Sequence, residues 1–212
     1  MDGLILAGGK SRRMERKYKG GLVYQGKSFL EHVIEVFKEE ADTVLISYGE
    51  EIYREFEGCR IIKDIYPGCG PIGGLHAGCV EKGSTYIMAA ACDMPLLGIE
   101  LYRFLMQEME RRETERGRTA DGIVPIGNGK FHPLAAIYRK QIGVILKEQI
   151  EAGEYRLRKA LDRLDILYVD ISGNERLCRM LQNINTMEEY RCLYYFGGNG
   201  NEIHVVKAEE RK

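Results

Sequence analysis

The chain has 212 residues, with 31 Lys plus Arg against 32 Asp plus Glu, 44% hydrophobic residues, 25 Gly and 5 Pro, and reads as one soluble globular domain. Folding at this length buries roughly 70% of the unfolded surface, so no disulfide or structural metal is needed to hold a core. A net charge of −1 excludes the general basic excess on which nucleic-acid binding draws, while a small anionic ligand remains allowed.

The cysteines at 59, 69, 79, 92, 178 and 192 lack the two-residue spacing of a zinc knuckle or redox pair. They are expected to be reduced and mostly buried. The apolar run after Met-Asp-Gly is too short for a signal peptide, and no stretch reaches the roughly 18 apolar residues of a membrane span. A cytoplasmic protein without a membrane partner is expected.

In chain order, Leu4-Ile5-Leu6-Ala7 is a short apolar run ended by Gly8-Gly9, the pattern of a strand buried on both faces. Ser28 and Glu31 form a capping box, and Leu30, Val33, Ile34 and Phe37 follow at helical spacing, with His32 off that stripe as a solvated residue. A strand over 43–47, a helix over 50–57 and a strand over 60–63 come next. A glycine-rich loop leads to a helix over 72–82, then a strand over 86–92 ends at Asp93-Met94-Pro95, and a helix covers 99–112. The mixed charges from 108 to 118 make a solvated face.

Residues 122–126 and 131–138 flank Asn128-Gly129 and read as a hairpin. Helices over 140–152 and 157–164 and a strand over 166–171 follow. Thr186 and Glu189 open a last helix over 187–195. The expected organisation is one domain over 1–195 and a tail over 196–212, in which 203–206 could add an edge strand. Alternating strands and helices with a late antiparallel hairpin give a three-layer α/β/α sandwich on a mostly parallel, Rossmann-like sheet. Ligands in such sheets sit beyond the carboxyl ends of the strands.

Three segments fall there. Gly8-Gly9-Lys10-Ser11-Arg12-Arg13, with Lys17 and Lys19 nearby, places open backbone beside cations and suits a polyphosphate. It is neither a P-loop, since Leu4 stands where Gly is required, nor a dinucleotide fingerprint, since Lys10 and Arg13 replace its glycines. Asp93, after an apolar strand, suits a magnesium ion that completes its shell with water and phosphate oxygens; a turn-capping role is the competing reading. Asp64 and the run Gly68-Cys69-Gly70-Pro71-Ile72-Gly73-Gly74 would let a base or phosphate approach helix backbone. His76, just inside that helix, is read as a satisfied structural histidine.

The strings Leu-Ile-Leu-Ala-Gly-Gly-Lys-Ser-Arg-Arg-Met at 4–14, Lys19, Gly-Pro-Ile-Gly-Gly-Leu at 70–75, Cys-Asp-Met-Pro at 92–95, His132-Pro133 and Asn-Ile-Asn-Thr at 183–186 resemble the molybdenum cofactor guanylyltransferases, in the same order along the chain. The resemblance spans about 3–195. It implies magnesium-dependent transfer of GMP from GTP to the terminal phosphate of molybdopterin carrying molybdenum, with release of pyrophosphate. It also implies that Leu6, Ala7, Gly8, Ser47, Asp64 and Asp93 lie at the nucleotide, that Lys10, Arg13 and Lys19 act on its phosphates, and that Asp93 binds Mg²⁺. His132, Asn183 and Asn185 match positions on the pterin side. Apo-molybdoenzymes or their chaperones are the implied protein partners, and a monomer or weak oligomer the implied state.

Glu15 and Tyr18 stand where the family commonly has Gly and Asp, and Ser47 replaces a nucleoside-contacting Asn. One rival is a sister enzyme that transfers CMP, or a nucleotide to a sugar or polyol phosphate; cytidylyl relatives typically carry Ala at the position of Gly8. A non-enzymatic cofactor-delivery chaperone is the other, against which the joint presence of Lys19 and Asp93 argues. The lack of a Cβ at Gly8 is expected to make room for a purine.

Overall fold

A computed structural model describes residues 1–8, 19–49, 52 and 54–197. Strand β1 (Asp2–Leu6) is buried throughout and starts earlier than its apolar run, because Asp2 is paired with the Lys140 ammonium at 2.7 Å. A 3-10 turn over Lys19–Gly21 leads into a hairpin of β2 (Val23–Tyr24) and β3 (Lys27–Ser28), which turns through Gln25 and Gly26 at φ +48° and +82°. Two-residue strands carry no periodicity, and this hairpin was invisible to the pattern.

The predicted capping box opens α1 (Phe29–Lys38): Glu31 N–H donates to Ser28 Oγ at 3.2 Å and Ser28 N–H to Glu31 Oε2 at 2.7 Å. His32 is not solvated as expected. It is half-buried with Nε2 2.7 Å from the Tyr24 carbonyl, so that nitrogen carries the proton and ties α1 to the hairpin.

After β4 (Thr43–Ser47) the helix expected over 50–57 does not form among the described residues. The Tyr48 hydroxyl donates to the Arg54 carbonyl at 2.5 Å, and residues 54–56 are irregular. Then come β5 (Cys59–Ile62), α2 (Pro71–Val80), β6 (Tyr86–Ala91) and α3 (Ile99–Arg116). Helix α3 outruns its predicted end because Arg111 pairs with Glu108 and Glu115 one turn away, and Gly117 supplies the left-handed cap at φ +63°.

Strands β7 (Gly122–Gly127) and β8 (Lys130–Phe131) form the hairpin at Asn128-Gly129, both at positive φ. The expected long second strand is split. Residues 132–134 turn away and β9 (Ala135–Arg139) inserts between β7 and β6, antiparallel to both. A 3-10 turn, Lys140–Ile142, precedes α4 (Gly143–Glu151) and α5 (Leu157–Leu161), which ends earlier than expected. After β10 (Ile166–Asp170) comes an unpredicted short α6 (Glu175–Met180), capped by Asn174, and then α7 (Met187–Gly197). Helix α7 crosses the expected boundary at 195. Residues 198–212, with the expected strand at 203–206, lie outside the described residues.

The main sheet has eight strands in the order β10-β7-β9-β6-β1-β4-β5, with β8 on β7. Only β8 and β9 run against the rest. Ile5 faces the layer of α1, α3 and α6, while Leu4 and Leu6 face α2, α4 and α5, so β1 is central to both cores. The predicted three layers are present. Of the six cysteines, Cys79 and Cys92 are buried and four are half-buried, fewer buried than expected; all are free thiols. Burial pushes the Cys79 thiol up to about 12. Among the described residues no helix is long and apolar enough to cross a membrane.

Candidate active site

Three parallel strands end together beside the chain reversal of the sheet. Leu6 is in register with Ser47 on one side and Ala91 on the other, and one further rung forms on each side: Ala7 N–H donates to the Ser47 carbonyl at 2.7 Å, and Cys92 N–H to the Leu6 carbonyl at 3.1 Å. The chain runs outward from β1 through β4 to β5 and resumes at β6 across β1, the reversal at which open α/β sheets bind ligands.

Asp64, just past β5, is half-buried. Its Oδ1 accepts from the Ser47 hydroxyl at 2.5 Å. Burial raises the Asp64 carboxyl above its usual range, and the Ser47 hydrogen bond opposes that shift. Ser47 itself is 2% exposed. Leu6, 7% exposed, and Ala7 have their side chains in the cores, so only their backbone is available to a ligand.

Gly8 departs from the expected reason for its glycine. A Cβ there would lie 2.8 Å from the Tyr48 carbonyl oxygen and 3.0 Å from its carbon, so the missing side chain lets the loops after β1 and β4 touch. Gly74 is likewise a packing residue, because a Cβ there would lie 2.5 Å from Leu6 Cδ2 and 2.9 Å from Ser47 Oγ. It lets α2 lie directly on the strand ends, where the sequence alone offered a ligand approach.

On the other side of β1, Asp93 follows β6. Its Oδ1 accepts from Asn183 Nδ2 at 2.7 Å, and its carbonyl from Ile184 N–H at 2.9 Å. Asn183, expected on the acceptor side, therefore lies against the carboxylate expected to bind metal, a pairing across 90 residues of sequence. Asn185 N–H and Thr186 N–H both donate to Glu189 Oε2, at 2.6 and 2.9 Å, closing the predicted capping box of α7.

His132 sits in the turn before β9. The Leu134 carbonyl of the same turn accepts from Ala91 N–H at 3.1 Å, and His132 Nε2 lies 3.6 Å from where a Cβ on Gly127 would stand. Burial is the main cause holding its imidazole below the ordinary range. His76 is structural as expected but not satisfied: it is 3% exposed, stands edge-on to Tyr66 at 5.2 Å, and its Nδ1 has no hydrogen-bond partner among the described residues. The Lys19 backbone opens the 3-10 turn before β2; its side chain, with Lys10 and Arg13, lies outside the described residues.

A third apolar cluster gathers these segments. Tyr24, Phe29, Ile184 and Leu193 pack together, with Leu22, Leu96 and Tyr190 against them, and the Tyr190 hydroxyl donates to the Val23 carbonyl at 2.5 Å. The turn at Lys19, the loop after Asp93 and the strand of chain through Asn183 thus share one small core. Sequence reading missed it because its members come from four separated stretches with no common period.

Asp64 and Asp93 are separated by β4 and β1, about 14 Å across at the usual strand spacing of ~4.8 Å. One Mg²⁺ with ligands at about 2 Å cannot bridge them. At Asp93 the donor set is hard oxygen, a carboxylate oriented by an amide, which fits Mg²⁺ because that ion takes one or two protein carboxylates and fills its shell with water and phosphate. No group of three or more His, Cys, Asp or Glu that could hold a metal occurs among the described residues.

A sheet of this order, with one carboxylate after the edge strand β5 and another after the central strand β6, is that of a protein of the nucleotidyltransferase class. The chain belongs to the family of MobA-like NTP transferase domains, which matches residues 3–167. It is 30% identical over 194 residues, covering 89% of this chain and 93% of the relative, to a probable molybdenum cofactor guanylyltransferase of Clostridium perfringens. It is also 30% identical over 189 residues to the molybdenum cofactor guanylyltransferase of Yersinia pseudotuberculosis, covering 88% of this chain and 91% of that one. The molybdopterin-guanine dinucleotide biosynthesis protein A of Archaeoglobus fulgidus shares the fold, with a TM-score of 0.76 and 24% identity over 93% of this chain and 98% of the other.

Proposed function

We propose that this protein transfers GMP from GTP to the terminal phosphate of molybdopterin. An acceptor phosphate oxygen attacks the α-phosphorus of GTP, the bond from that phosphorus to the bridging oxygen of the β-phosphate breaks, and pyrophosphate leaves with the electron pair. The acceptor is already ionised, so the reaction needs alignment and charge neutralisation more than a protein nucleophile. The observation that carries the reading is the pair of carboxylates on either side of the β1 terminus, one backed by Ser47 and the other by Asn183, in a chain whose relatives are guanylyltransferases over most of their length.

In this reading Asp64 holds the nucleoside end, and the backbone of Leu6, Ala7 and Gly8 forms the floor between it and Asp93. Lys10, Arg13 and Lys19 offset the charge of the phosphates. Asp93, oriented by Asn183, would hold Mg²⁺, which when bound neutralises charge on the phosphate oxygens. Asn185 and His132 line the acceptor side. The test is competition of GTP and CTP for one preparation with molybdopterin as acceptor. Incorporation of GMP is the expected result; a preference for CTP overturns the guanylyl reading.

A further inference from the structure

We propose that Ser47 is a positioning residue that aims Asp64 at the nucleotide base. The inference rests on the guanylyl reading above and assigns a task to the residue that replaces a nucleoside-contacting Asn. Ser47 ends β4 in register with both Leu6 and Ile62, and its side chain lies beneath α2 at Gly74. At 2% exposure it has no surface to offer a base. Its hydroxyl is spent on Asp64 Oδ1.

The other carboxylate oxygen is differently placed. Asp64 Oδ2 has no hydrogen-bond partner among the described residues, and Asp64 is only half-buried, so this oxygen is the one available to a ligand. A carboxylate pinned at one oxygen and open at the other presents an acceptor in a fixed direction. The partner it selects is an N–H donor on a flat ring edge, such as the adjacent ring N–H and exocyclic amine of guanine. Ser47 acts only through Asp64, which makes its contribution separable from a direct contact.

The experiment measures GTP affinity by calorimetry with Mg²⁺ for the wild type, Ser47→Ala, Ser47→Thr, Asp64→Ala and the Ser47→Ala/Asp64→Ala double variant, with steady-state KM and kcat for the same set. Ser47→Ala is expected to weaken GTP roughly 10-fold, the scale of one hydrogen bond to a charged group. That loss should appear in KM while kcat stays within about twofold. Thr keeps the hydroxyl and should restore affinity, and Ser47→Ala should cost nothing further in the Asp64→Ala background. Thermal midpoints of each variant separate binding loss from unfolding. Equal GTP affinity in wild type and Ser47→Ala, or an undiminished Ser47→Ala effect when Asp64 is absent, overturns the positioning role and leaves the guanylyl reading standing. A wild type that binds no GTP overturns both.

Discussion

Replacing Gly8 with Ala separates two explanations for the same glycine. If the missing Cβ makes room for a purine, the substitution should harm GTP and spare CTP. The structure gives a different neighbour: the new Cβ would meet the Tyr48 carbonyl oxygen at 2.8 Å, its carbon at 3.0 Å and the Gly49 nitrogen at 3.2 Å. These are backbone atoms at the end of β4, and they cannot rotate aside as a side chain would. Overpacking of this kind costs about 1–3 kcal/mol. Gly8 does not have a left-handed φ, so Ala also restricts the unfolded chain and returns about 0.4–1 kcal/mol.

The clash wins, leaving a net loss of about 1–2 kcal/mol on the difference of those two effects, and a thermal midpoint lower by roughly 2–8 °C for a chain of this size. Because the displaced backbone leads directly from Ser47, which aims Asp64 at the guanine edge, GTP affinity should fall together with the thermal midpoint. Differential scanning calorimetry and paired nucleotide titrations measure both quantities. An unchanged midpoint with selective loss of GTP would refute the packing argument and restore the purine explanation.

Asp93→Asn should lower transfer by about 10²–10³-fold, the scale of losing one well-aimed electrostatic group, with an unaltered circular dichroism spectrum; full activity would remove Asp93 from the metal role. Asn183→Ala deletes the 2.7 Å hydrogen bond to Asp93 and should lower kcat about 10-fold or more with GTP affinity nearly unchanged. A KM effect alone would place Asn183 with the nucleotide instead. Asp64→Asn should stabilise the protein at neutral pH: burial raises the folded carboxyl, so ionisation favours the unfolded state as pH rises through the unfolded and then the folded value. Its thermal midpoint should exceed that of the wild type at pH 7.5 and match it at pH 3, while GTP binding weakens. Lys19→Ala should weaken GTP more than guanosine in parallel titrations, and equal weakening would take Lys19 out of the phosphate site.

The alternation of strands and helices was legible from local pattern, because an apolar run such as Leu4–Ala7 and a capping box such as Ser28–Glu31 depend on neighbours along the chain. Asp64 and Asp93 could be singled out for a related reason: each follows the end of an expected strand, apolar in the case of Asp93, and strand ends bind ligands in this architecture. Ser47 and Asn183 stand out only through the resemblance, and their pairing with these carboxylates could not be read from it. The Asn183 amide reaches Asp93 only because residues 183–184 return to the end of β6, and Ser47 reaches Asp64 only because β5 pairs with β4 in a particular register. Gly8 and Gly74 show the same divide: composition reveals that a side chain is missing, but whether backbone, strand or ligand fills the space depends on which segments tertiary packing brings within contact distance.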